Sequence, residues 1–246
     1  AMSSASSALI QTLANNGVEV IFSLSGNQIM PLYDACIDAN IRIIHTRHEG
    51  AAVYMAEAYA QLSGKLGVAL VTAGPGLLNA VSALYSAARS ETPILLISGD
   101  AGLGMDGRGG FQELDQCAIT TPITKHSARP LNAAAILSDL DHCIATALGG
   151  TPGPTHLALA FDLLSQTNGL EAAKQVNLPP ANAMRQNDLE TVIKAIDAAK
   201  HPLIMTGPQA NHTRQPTANT ALEGALGLPI ICLESARGLS DSFYGD

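Results

Sequence analysis

Basic side chains are scarce in this chain: 13 Lys and Arg stand against 21 Asp and Glu in 246 residues, for a formal charge of −8. Without a basic stripe there is no electrostatic footprint for nucleic acid or an anionic membrane, and small-molecule chemistry is the expectation. Cysteine is sparse too. Cys36, Cys117, Cys143 and Cys232 lie far apart with no C-x-x-C pair, which argues against a zinc site and a secreted disulfide framework and for reduced thiols in a cytoplasmic protein. No run approaches the roughly 20 apolar residues of a membrane span. The opening Ala1-Met2-Ser3-Ser4 lacks the basic flank and apolar stretch of a signal peptide and reads as an expression remnant before a native start. Long internal repeats and low-complexity tracts are missing as well.

What is present is apolar material, 47% of residues, enough for one large domain or two modest ones. Short β-branched runs alternate with longer runs of helical period, the mark of a doubly wound, mainly parallel sheet with helices on both faces. The expected strands are 18–22, 42–45, 67–71, 94–98, 124–128 and 155–160, several nearly all apolar, as strands buried on both faces should be. The expected helices are 5–15, 29–39, 49–62, 77–89 and 132–147, two of them stopping before Gly17 and Gly64. These make a first domain of residues 1–165. A linker follows over 166–186, carrying Thr167-Asn168-Gly169 and Pro179-Pro180. A second, Rossmann-like α/β domain begins at 187, with a helix at 188–199 and strands at 202–206 and 228–233. It is read as incomplete at residue 246.

Two segments carry candidate chemistry. Thr46-Arg47-His48-Glu49 opens an alanine-rich helix. One reading is a capping box, with Thr46 as N-cap and Glu49 three residues on. The other starts from helical geometry: Ala52, Val53, Ala56 and Ala60 form an apolar stripe, and Glu49 stands on its line, facing the core or an interface. A carboxylate there loses solvation and is suited to sharing a proton with a nitrogen heterocycle. His48-Glu49 has no second histidine at zincin spacing, so no metal site is expected. The second segment runs from an apolar strand through Thr72-Ala73-Gly74-Pro75-Gly76 into a helix, where glycines admit a ligand close to the backbone. Asn79 occupies the third glycine position of the dinucleotide fingerprint, and Gly102-Leu103-Gly104 and Gly107-Arg108-Gly109-Gly110 do not form a P-loop. They read as a flexible loop.

Taken in order, these segments resemble the pyrimidine-binding domain of the thiamine diphosphate (ThDP) enzymes typified by acetolactate synthase, pyruvate oxidase and benzaldehyde lyase. The matching features are Gly26 with Pro31-Leu32-Tyr33-Asp34-Ala35, Arg47-His48-Glu49, Thr72 to Gly76 with Asn79, Thr92-Pro93-Ile94 leading to Ser98-Gly99-Asp100, Phe111-Gln112-Glu113, Pro122 to His126, and Gly153-Pro154-Thr155-His156. The resemblance implies that Glu49 is catalytic, hydrogen-bonding N1′ of the cofactor's aminopyrimidine and thereby promoting loss of the thiazolium C2 proton. It further implies Gly26, Pro75 and Asn79 around the pyrimidine, and Asn27, Gln28, Phe111 and Gln112 along the substrate channel. The implied cofactors are ThDP with magnesium, and FAD binding through the central domain is left open. A small 2-keto acid or aldehyde is the implied substrate, and a homo-oligomer through the pyrimidine domain, dimer or tetramer, the implied assembly.

The chain departs from the family pattern in three places. The Gly-Asp-Gly segment and the asparagines that hold magnesium in the family's C-terminal domain are missing, so the chain alone is expected to be inactive. Phe161 stands where acetolactate synthases have the lysine of Asp-Leu-Pro-Lys-Asp, which favours another 2-keto acid, an acyl-CoA or an aldehyde as substrate. Asn27-Gln28 replaces the Ala-His of benzaldehyde lyase. Two readings follow: part of a ThDP-dependent decarboxylase or carboligase, with a benzaldehyde-lyase-like variant, or a non-catalytic binding or assembly module of the same fold.

Overall fold

The computed structural model describes residues 4–167, 170–172, 175–176, 184–208 and 216–234. The chain divides into two compact units, Ala1–Leu178 and Pro179–Asp246. In the first, helices α1 (Ala5–Asn15), α2 (Met30–Asp38), α3 (Glu49–Ser63), α4 (Pro75–Arg89), α5 (Gln116–Thr120), α6 (Ala133–Leu148) and α7 (Phe161–Leu164) alternate with six strands. These are β1 (Val20–Ser23), β2 (Arg42–His45), β3 (Gly67–Val71), β4 (Ile94–Asp100), β5 (His126–Ala128) and β6 (Thr155–Ala160). They form one sheet in the order β2-β1-β3-β4-β6-β5, every pairing parallel.

The two-residue period of the strands sorts their side chains onto two cores. Ile21, Val68, Leu70, Leu95, Ile97, Leu157 and Leu159 face one way and pack with Leu9, Leu13, Leu32, Ile136, Leu140 and Ile144 of α1, α2 and α6. Their neighbours Val20, Phe22, Ala69, Val71, Ile94 and Leu96 face the other way, against the alanines and leucines of α3 and α4. Small residues let those two helices lie close on the sheet. Gly67 is the tightest point: a Cβ there would come within 2.3 Å of the Ala56 carbonyl oxygen.

The bounds of the expected elements follow the sequence pattern to within a few residues, the short helices α5 and α7 were not expected, and the start of α3 needs one correction. Thr46 is not the N-cap of α3. His48 is, its ring Nδ1 accepting the Gly50 amide at 3.0 Å, while the Thr46 hydroxyl donates to the Ser23 and His48 carbonyls at 3.3 and 3.1 Å. Of the two readings left open for the Ala52–Val53–Ala56–Ala60 stripe, core is the one realised: β1, β3 and α4 cover it. At the far end α3 stops at Gly64, which takes the left-handed conformation (φ 71°) anticipated for it.

The second unit contains helices α8 (Gln186–Ala198) and α9 (Pro216–Leu226) and parallel strands β7 (Ile204–Thr206) and β8 (Ile230–Cys232). Its described core is small: Ile204, Ile230 and Cys232. Helix α8 buries none of its residues, and Leu189, Val192 and Ile193 stand exposed. Helix α9 went unrecognised in the sequence because Thr, Asn and Gly interrupt its apolar period. The Thr167-Asn168-Gly169 and Pro179-Pro180 segments of the expected linker lie largely outside the described residues.

Candidate functional site

In an open parallel sheet the ligand crevice lies outside the carboxyl ends of the strands where their order reverses, because adjacent connections there leave in opposite directions. Here β1 has β2 on one side and β3 on the other, so the crevice lies beyond Ser23 and Val71. Ser23 is the pin at that point: its hydroxyl donates to the Leu70 carbonyl at 2.7 Å and accepts from Tyr33 at 2.6 Å.

The segments singled out in the sequence converge here. Gly26 follows β1, and a Cβ on it would lie 2.4 Å from Cβ and Oγ1 of Thr72, which follows β3. Glycine is what lets the two loops touch. Gly74 turns the chain into α4 at φ 56°, with Pro75 at the start of the helix, where a missing N–H costs nothing. Gly76 admits the Thr72 methyl, since a Cβ there would stand 2.8 Å from Thr72 Cγ2, and Glu49 Oε1 lies 3.7 Å from the same point, at ordinary contact distance. Glu49 opens α3 just beyond the end of β2 and is buried, with its Oε2 accepting the Asn79 side-chain amide at 3.0 Å. A buried carboxylate held by an α4 donor, beside a glycine, is chemically fit to hold a proton on a flat nitrogen heterocycle.

A polar chain leads away from that point. Thr72 donates to Gln28 Oε1 at 2.6 Å, and Gln28 Nε2 donates to Gln112 Oε1 at 2.9 Å. Gln112 sits at φ 61°, a conformation costing an L-residue about 1–2 kcal/mol. The bond from Gln28 and the absence of a side chain at Gly74, where a Cβ would lie 3.0 Å from Gln112 Cβ, accommodate it. Beyond Gln28 opens a cavity of about 320 Å³, lined by Asn27, Gln28, Ala101, Met105, Phe111 and Phe161 among others. All four residues expected along a substrate channel therefore lie together. Thr72 lay in a segment singled out in the sequence, but its bond to Gln28 was not foreseen; Met105 as lining was not recognised, and nothing in its local pattern marks it.

The glycine-rich loop after β4 is tied down by charge. Arg129 bridges Asp100, buried at the strand end, and Asp106 on the loop, at 2.8 Å to the latter. Burial raises the Asp100 pKa more than Arg129 and the Ala101 amide lower it. For Asp106 the bond to Arg129 dominates and lowers it. The Glu113 carboxylate accepts the Gly107 and Gly110 amides, which hold its pKa down. The loop expected to be flexible carries these bonds to Arg129 and Glu113.

The most displaced histidine lies elsewhere. His156 on β6 is wholly buried and is pushed down to about 3 by desolvation. Its ring bonds Ser98 at 2.8 Å and Thr120 and Ser127 at 2.9 Å, a neutral cross-link rather than a reactive group. Buried Cys36 and Cys143 are pushed up to about 11 and 12 by desolvation and are unreactive thiols. Among the described residues no group of three or more His, Cys, Asp or Glu could hold a metal ion, and no helix is long and apolar enough to cross a membrane.

Fold and crevice define a doubly wound α/β domain that presents a buried carboxylate to a ligand at the strand-order reversal. Comparison with known proteins then specifies which. Residues 3–119 match the family model described as thiamine pyrophosphate enzyme, N-terminal TPP binding domain. The chain is 33% identical to 2-hydroxyacyl-CoA lyase 2 of Danio rerio, over 93% of its own length and 43% of the relative's. It is 33% identical to the acetolactate synthase large subunit of Lactococcus lactis, over 93% of itself and 40% of that protein. A solved structure, the thiamine diphosphate-dependent 4-hydroxybenzoylformate decarboxylase of Rhodococcus jostii, superposes with a TM-score of 0.84 at 22% identity, covering 94% of this chain and 44% of that one. Residues 3–119 thus correspond to the N-terminal domain of ThDP enzymes, and the chain spans less than half the length of these relatives.

Proposed function

We propose that this chain forms the pyrimidine-holding part of a ThDP- and magnesium-dependent enzyme that breaks or forms the bond beside the carbonyl of a 2-keto acid, with Glu49 as its acid–base residue. The observation that carries this is the buried Glu49 carboxylate, fixed by Asn79 at the glycine-lined crevice. Bound ThDP would supply the nucleophilic carbon and the electron sink. Glu49 holds a proton at N1′ of the aminopyrimidine, and the Asn79 amide fixes which carboxylate oxygen faces it. Gly26, Pro75 and Gly76 shape the space for the ring, while Asn27, Gln28, Phe111 and Gln112 meet the substrate. The diphosphate and magnesium would be held by the further portion that the relatives carry, which makes the chain inactive alone. Exposed Tyr54 and Met55 on α3 and Leu78 and Tyr85 on α4 support a homo-oligomer through this domain.

A second reading, a lyase or carboligase acting on 2-hydroxyacyl or aldehyde substrates, is supported by the names of several relatives and by Phe161 in place of lysine. Both readings share one test. In the full-length enzyme, Glu49→Gln should slow exchange of the bound cofactor's C2 proton, followed by NMR, by at least about 100-fold with an unchanged melting temperature. Wild-type exchange in a folded variant would rule Glu49 out.

A further inference from the structure

The cavity beyond Gln28 differs from its surroundings in having no ionisable side chain in its lining. Charged residues crowd the loop beside it, yet several are engaged within the protein. Arg129 is bonded to Asp100 and Asp106, Glu113 to the Gly107 and Gly110 amides, and Asp162 to the Leu103 amide. Arg108 is exposed on the loop outside the lining. What faces the cavity is Phe161, Phe111 and Met105, at 50%, 75% and 44% exposure. Large side chains left this open at the carboxyl ends of the strands are surface a ligand can cover.

Phe161 is the fixed member of that group. Met105 and Phe111 ride on the loop, whereas Phe161 begins α7 directly after β6, and β6 is hydrogen-bonded to both β4 and β5. Its ring lies against Gly102, where a Cβ would come within 3.1 Å of Phe161 Cε1, so the loop closes on the ring because that position has no side chain. Gln28, which lines the cavity, accepts the Thr72 hydroxyl of the crevice at 2.6 Å.

We propose that Phe161 is a specificity-determining residue: with Met105 and Phe111 it forms an uncharged wall that receives the apolar alkyl or aryl substituent of the substrate. This rests on the ThDP reading above. The cavity, about 320 Å³, is large enough to admit a phenyl or hexyl group, and a substrate with a second carboxylate finds no cation in the lining. Replacing the ring by a lysine places a charge in that wall; one apolar group in such a pocket is worth roughly 10–200-fold in discrimination.

The test uses the full-length holoenzyme and a series of 2-keto acids: pyruvate, 2-ketohexanoate, phenylglyoxylate and 2-ketoglutarate. Wild type should favour 2-ketohexanoate or phenylglyoxylate over 2-ketoglutarate. In Phe161→Lys and Phe161→Ala the ratio of kcat/KM for the large apolar acid to that for pyruvate should fall about tenfold or more. An unchanged ratio in both variants, or a wild type that handles 2-ketoglutarate equally well, overturns the proposal. C2 proton exchange, which needs no substrate, is read in parallel. Exchange with no acid consumed overturns the keto-acid reading and this proposal with it, while exchange indifferent to Glu49→Gln overturns only the role of Glu49.

Discussion

At the scale of single residues the crevice is built mostly by what is left out. Gly26 and Gly76 each keep a side chain away from Thr72, and Gly74 keeps one away from Gln112. Gly26 has an extended backbone (φ −167°) that any residue adopts, so contact alone requires glycine there. Gly26→Ala should push Thr72 out of its bond to Gln28 and lower stability by about 1–3 kcal/mol, the usual cost of forcing atoms into a packed site. Urea unfolding checks this, and an unaltered midpoint would mean the two loops separate freely. The glycines were legible in the sequence as a close approach; which atoms they approach was not, because Gly26 and Thr72 are brought together only by the pairing of β1 with β3.

At the scale of elements, His156 shows how the sheet holds its carboxyl-terminal half together. One ring joins Ser98 on β4, Thr120 on α5 and Ser127 on β5. Its pKa is pushed down to about 3 in the folded chain, while an unfolded histidine titrates at about 6.5. Between those values the unfolded chain binds more protons, so the contribution is full above the unfolded value and is lost as pH falls toward the folded one, by up to about 1.4 kcal/mol per pH unit. The urea midpoint should therefore drop between pH 7 and pH 5, and His156→Gln, which keeps an amide for bonding without a titrating proton, should flatten the drop. Identical slopes in both proteins would show that His156 does not control it. His156 was legible only as part of a family motif; its burial and its three partners come from elements up to 58 residues away in sequence.

At the scale of the molecule, the second unit offers little described core, and on the proposed function the first supplies only Glu49's side of a cofactor site. Titration of ThDP with magnesium should release no measurable heat with the 246-residue chain and should show tight binding with the full-length enzyme. Sedimentation of the same samples should give at least twice the monomer mass, through the exposed apolar residues of α3 and α4. Tight binding to the short chain would mean that the residues present hold the diphosphate, contrary to the proposed division of labour.

Much was determined by the sequence by itself. Alternation of apolar runs with helical periods specified a parallel α/β sheet, since strands buried on both faces must be apolar throughout. Arg47-His48-Glu49 and Thr72 to Gly76 marked the crevice because a glutamate on the line of an apolar stripe and a glycine turn between strand and helix are unusual patterns in a core. Local pattern misassigned the N-cap to Thr46, since both His48 and Thr46 carry acceptors and only the path from β2 selects between them. It also left the apolar stripe of α3 open to either core or interface, because periodicity reports that a face is buried without saying by what. Tertiary structure alone decided that β1, β3 and α4 cover that stripe, that Asn79 reaches Glu49, and that Phe161 shares a cavity with Met105, Phe111 and Gln28. Each of these is a meeting of side chains distant along the chain, fixed by strand order and register.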